Sequence, residues 1–71
     1  MAELQRALGA RIRELRMAHG WSQETYADIC EIHRSHMGEI ERGEVDATIS
    51  TLAKLAKGLD ITVSAMLKGV V

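Results

Sequence analysis

Leu4, Leu8, Ile12 and Leu15 fall four, four and three residues apart, the spacing of one apolar stripe on a helix. This pattern recurs in short blocks along the chain, and the recurrence constrains the fold more than any other feature. Gly20 can end the first helix in the left-handed conformation that glycine adopts cheaply. Ser22, in "WSQE", is a good N-cap for a second helix, with Glu24 in the first turn, where the helix dipole favours an acid. Tyr26, Ala27 and Cys30 form its inward stripe. Ile32 to Glu41 reads as a third helix with Ile32, Met37 and Ile40 inside, ended by Arg42-Gly43. After "GEVDA", Thr48 caps a fourth helix whose stripe is Ile49, Leu52, Leu55, Ala56 and Leu59; Gly58 and Asp60 mark its stop. Thr62 caps a fifth, carrying Val63, Met66 and Leu67 inward. Period-two alternation is scarce, so strands are not expected. The expected fold is all-α, a compact domain of five helices with short connections.

Seventy-one residues make one domain, 1–71, with no room for a second core. A chain this short buries only about 60% of its surface, so support from a disulfide, a metal or a partner chain is worth testing for. Cys30 is the single cysteine, which excludes a disulfide within the chain and suits a reducing, cytoplasmic setting. No apolar run approaches the roughly 20 residues that span a bilayer. The start, "MAELQRALGARI", carries Glu3 and lacks the apolar segment of an export signal. With no Phe, and only Trp21 and Tyr26 as aromatic side chains, aliphatic residues must build the core.

Cys30, His33 and His36 sit three apart, which invites a metal reading. Tetrahedral zinc needs three or four converging ligands. On the helical reading Cys30 faces the core, His33 opens the next helix and His36 lies one turn on, facing out. The three diverge, so neither a metal nor another cofactor is expected. Nor is an enzyme: no nucleophile is paired with a base and an orienting group.

The pair of short helices in "SQETYADICEIHRSHMGEIERG" has the dimensions of a helix-turn-helix. With "LGARIRELR", "GWSQE", Ala27, "RS" at 34–35, "IERGE", "TLAKLAKGL" and "ITVSAML" in this order, nearly the whole chain resembles the lambda-repressor-like family of Cro and XRE-type transcriptional regulators. The resemblance implies a helix-turn-helix at helices two and three, a third helix that enters the DNA major groove, and a homodimer on a palindromic operator. It further implies that Trp21 and Tyr26 face inward, that Arg16 and Glu41 form a partly buried salt bridge, and that Gln23 contacts the DNA backbone. The sequence departs from the family pattern at Glu31, where the turn usually carries Gly, and at His33, where the cap is usually Ser or Thr. Cys30 replaces a bulkier apolar residue, and "DAT" replaces "NPS" before helix four.

Side chains at the start of a groove-inserted helix reach base edges. The expected base contacts are His33, Arg34, Ser35, Gly38 and Glu39. Arg34 suits guanine O6 and N7; Glu39 can accept from a cytosine amino group or hold Arg34 in place. The expected phosphate contacts are Ser22, Gln23, His36, Arg42 and Thr48, since helix N-termini favour anions. If the two histidines face phosphate, binding tightens as pH falls from about 8 to 6. The charge pattern weighs against high affinity per subunit. Residues 21–47 hold seven acids against Arg34 and Arg42, with Glu44 and Asp46 expected to turn away from DNA. Val63, Met66, Leu67, Val70 and Val71 exceed what one small core can use, so they are the expected dimer interface. No small-molecule ligand is expected. The leading function is a sequence-specific double-stranded DNA-binding regulator, including the compact controllers of restriction–modification operons. The alternative is a protein-binding module, such as the antitoxin of a toxin–antitoxin pair.

Overall fold

The computed structural model describes residues 2–71. They form five helices and, among the described residues, no strand: α1 (Ala2–Ala18), α2 (Gln23–Cys30), α3 (Arg34–Glu41), α4 (Ile49–Leu59) and α5 (Val63–Met66). Each of the last four begins at a side-chain cap. Ser22, Thr48 and Thr62 accept from the backbone N–H three residues on, at 3.0, 3.2 and 3.0 Å. At α3 the cap is His33, whose Nδ1 accepts from the Ser35 N–H at 3.2 Å. The third helix therefore starts at Arg34 rather than Ile32. Ile32 lies in the turn, half-buried against the core.

α2 and α4 end in the same way. Glu31 and Asp60 both take the left-handed conformation, at φ 58° and ψ 41°. The next residue reaches back to the last turn: Ile32 N–H donates to Ala27 O at 2.9 Å, and Ile61 N–H to Ala56 O at 3.0 Å. Each isoleucine packs against the core, so a hydrophobic contact accompanies the backbone bond. That contact holds a non-glycine residue where the left-handed backbone costs about 1 kcal/mol. The position that departs from the family's glycine thus keeps its turn.

The core is Ile12, Tyr26, Ala27, Cys30, Met37, Ile40, Leu55, Ala56, Leu59 and Met66. α1 packs on α3, α2 on α3 and α4, and α5 on α4. Two positions of the expected stripes lie outside the core, each in the first turn of its helix. Leu4, at the start of α1, is 46% exposed. Ile49, the first residue of α4, is 85% exposed, so that stripe begins at Leu52. Met66 is fully buried in the protomer's own core, so its side chain is not free to face a partner.

Two glycines allow helices to touch. A Cβ at Gly9 would lie 2.5 Å from the carbonyl oxygens of both Ile40 and Glu41, so α1 rests directly on the end of α3. A Cβ at Gly58 would lie 2.7 Å from Cys30 Sγ. Gly58 is therefore a packing residue inside α4 rather than its stop, and Cys30 is the small side chain opposite it. Tyr26 reinforces this crossing, its hydroxyl donating to Leu55 O at 2.7 Å. Arg11 ties α1 to the end of α5, with Nε donating to Met66 O at 3.1 Å and Nη2 to Ala65 O at 3.2 Å.

Candidate nucleic-acid interface

Glu41, the last residue of α3, is the joint of the site. Arg16 from α1 donates to both its oxygens, Nε to Oε2 at 2.8 Å and Nη2 to Oε1 at 3.0 Å. The third nitrogen of that guanidinium, Nη1, donates to Trp21 O at 2.8 Å, before α2. From α2 itself, Gln23 Nε2 donates to Glu41 Oε1 at 3.2 Å. One carboxylate thus sets α1, the start of α2 and the end of α3 relative to one another. The side chains of Arg16 and Glu41 are 11% and 3% exposed, which makes this a buried pair. Trp21 lies between His19 and Tyr26, with ring centroids 4.2 and 5.6 Å away and planes nearly parallel. It serves as the packed bridge over this joint.

In front of the joint lies an open groove between the start of α2 and the outer face of α3. Its lining is Ser22, Gln23, Glu24, Arg34, Ser35, Gly38, Glu39 and Arg42. Seven of the ten residues read from the sequence as DNA contacts line it: all of these except Glu24. His33, His36 and Thr48 are outside that lining. Thr48 is occupied as the cap of α4. His33 serves as the cap of α3, its Nδ1 taken by the Ser35 N–H. Gly38 is buried at the floor of the groove, where a Cβ would come within 2.9 Å of Arg42 Nη1 and 3.3 Å of Gln23 Oε1.

The acids of the middle segment are distributed differently from the sequence reading. Arg34 is held by Glu24, Nη1 to Oε2 at 3.3 Å, and not by Glu39. Glu39 instead faces His36, at 3.4 Å from Nδ1. Glu44 does not turn away: both its oxygens take the Arg42 guanidinium, at 2.9 and 3.1 Å. The hydrogen bonds from Arg42 hold the Glu44 carboxyl below the usual carboxylate range, and Glu44 in turn raises Arg42. Asp46 bonds Gln5 of α1. The Arg42–Glu44 pair is two residues apart and visible in the chain, whereas Glu24 and Arg34 meet only because the turn folds α2 against α3. Cys30 and the histidines do not converge. Cys30 Sγ is inside, against Gly58, and burial pushes its thiol up, away from the ionised form that metals bind.

A short two-helix unit with a tight left-handed turn, its second helix exposing a polar face beside the start of the first, defines a helix-turn-helix protein. A helix-turn-helix family model matches residues 12–65, and the chain belongs to that family of XRE-type DNA-binding transcriptional regulators. It is 37% identical over 65 residues to control protein C.SmaI of Serratia marcescens, covering 92% of this chain and 77% of that one. It is 36% identical over 64 residues to the transcriptional regulator SutR of Escherichia coli, covering 90% of this chain but only 36% of that longer protein. Among solved structures, the restriction-modification controller protein C.AhdI of Aeromonas hydrophila superposes with a TM-score of 0.85 at 41% identity. That match covers 93% of this chain and 98% of the other. No described helix is long and apolar enough to cross a membrane.

Proposed function

We propose that this regulator acts in the cytoplasm as a two-fold homodimer on a palindromic operator, with α3 of each protomer in the major groove. The observation that carries the reading is the shared groove. Base-reading candidates (Arg34, Ser35, Gly38, Glu39) and phosphate candidates (Ser22, Gln23, Arg42) line one face of the molecule. The longest dimension of the described chain is 27 Å. Half-sites in successive major grooves are about 34 Å apart, so two copies are needed to read both. A second patch supports the pairing. Leu4, Leu8, Leu52, Leu67, Val70 and Val71 line an apolar hollow, and Val71 is 85% exposed. The dimer surface is accordingly Val63, Leu67, Val70 and Val71, with Leu4 added and Met66 removed. Likeness to C.SmaI and C.AhdI favours a compact controller of a restriction–modification operon.

The test is a binding titration on a duplex selected by the protein from a random-sequence pool, and on a scrambled duplex of the same composition. Two protomers should bind each selected duplex. Arg34→Ala should cost about 1–3 kcal/mol on the selected duplex and relax preference at one base pair per half-site. Gln23→Ala should weaken both duplexes alike, since phosphates carry no sequence. Because Gln23 also bonds Glu41, its melting temperature is read beside its affinity. An Arg34→Ala protein that keeps full preference would remove α3 as the reader and put a protein-binding module, such as an antitoxin, in first place.

A further inference from the structure

Arg42 lies back over α3, its Nη1 so close above Gly38 that a Cβ there would come within 2.9 Å and displace it. The chain then turns at Gly43, whose φ is 72° and whose missing Cβ would strike Arg6 of α1 at 2.6 Å. This turn returns Glu44 to the same guanidinium, and the Glu44 N–H anchors the backbone by donating to Glu39 O at 2.9 Å. The carboxylate is therefore presented from a fixed backbone. Its two oxygens take Nε and Nη2, the two-pronged arrangement that an arginine offers equally to a carboxylate or a phosphate. Nη1 remains over Gly38 in the groove. The two side chains are 57% and 52% exposed, so the pair can open at low cost.

We propose that Glu44 is an internal stand-in for a DNA phosphate: it occupies the Arg42 fork in the free protein and gives way to the nucleic-acid backbone on binding. The proposal rests on the DNA reading above and adds a regulatory element to it. Because a phosphate carries no sequence, the competition lowers affinity for every duplex by the same factor. It leaves the ratio between operator and other DNA unchanged and raises the protein concentration at which any site fills. Sequence preference belongs to Arg34 and its neighbours; the threshold for occupancy belongs to Glu44.

The experiment measures binding of the full chain to the selected and scrambled duplexes over a range of salt. Glu44→Gln should tighten both by the same factor, about two- to fivefold per protomer, as expected for release of an exposed ion pair. The logarithmic salt slope should steepen by up to about 0.9 per protomer, because no cation need neutralise a displaced carboxylate. Asp46→Asn removes the same charge from the same loop and should give a smaller gain. In an Arg42→Ala background, Glu44→Gln should give no gain beyond that of Asp46→Asn. The proposal is overturned if Glu44→Gln weakens the selected duplex alone, which would make Glu44 a residue that positions Arg42 on bases. It is overturned equally by a gain that survives without Arg42, which is bulk charge, or by no gain at all. Each of these results leaves the DNA reading standing. That reading fails separately, and takes the proposal with it, if the unaltered protein selects no sequence from the pool.

Discussion

Two arginine–carboxylate pairs meet at the end of α3. Arg16 holds Glu41 with two bonds of 2.8 and 3.0 Å, and Arg42 holds Glu44 with two of 2.9 and 3.1 Å. The geometry is nearly the same and the surroundings are not. The acid is 3% exposed in the first pair and 52% exposed in the second. Glu41 also accepts from Gln23, while the Arg16 guanidinium donates to Trp21 O, so removing either partner leaves buried polar groups unmatched. Both members of the second pair can turn to water. Burial and further partners, rather than bond lengths, determine whether such a pair is a structural joint or an exchangeable contact.

The largest expected effect lies at the joint. Glu41→Ala strands the Arg16 charge and should lower stability by about 3–5 kcal/mol in a urea titration. Small domains have only about 5–15 kcal/mol in total, so much of the fold's margin would go. A loss below about 1 kcal/mol would make the two pairs equivalent and break the comparison.

Gly9→Ala probes the same joint without touching a charge. The new Cβ would press on the Ile40 and Glu41 carbonyl oxygens and push α1 from α3. A loss of about 1–3 kcal/mol is expected from overpacking, read in the same titration. No loss would mean that α1 can slide, and that the close approach of the helices is not what holds Arg16 in reach of Glu41.

Arg42→Ala should change stability least, leaving the urea midpoint nearly where it was, while weakening binding to both duplexes. A stability loss comparable to that of Glu41→Ala would show the exposed pair to be structural as well, and would sharpen the question of why it is open to solvent.

Helices were the most legible part of this protein. Ser22, Thr48 and Thr62 announce three helix starts by local chemistry alone, because a side chain caps a backbone group only three residues away. The groove's lining was largely legible for a related reason: Ser35, Gly38 and Glu39 share one face of α3, and Arg42, its C-cap, continues that face. The sequence also holds motifs whose order points to the family, and the family model matches residues 12–65.

Where a stripe ends was not legible, because apolar spacing continues past the point where the core stops. Ile49 continues the pattern of Leu52 and Leu55, yet α4 begins at the rim, beyond anything it can pack against. Met66 reads both as an inward residue of the fifth helix and as part of a dimer surface, and the packing gives it wholly to the protomer's interior. Gly58 reads as a stop, and its role appears only when α2 brings Cys30 against it. The same holds for the acids. The composition of residues 21–47 determines that acids outnumber arginines there. Only the turn at Glu31 brings Glu24 to Arg34 across two helices, whereas Arg42 and Glu44 are near neighbours in the chain whose pairing the turn at Gly43 completes. Composition sets how much charge the segment carries; its electrostatics depend on distances of a few ångströms between groups on different elements, and those distances exist only once the helices have packed.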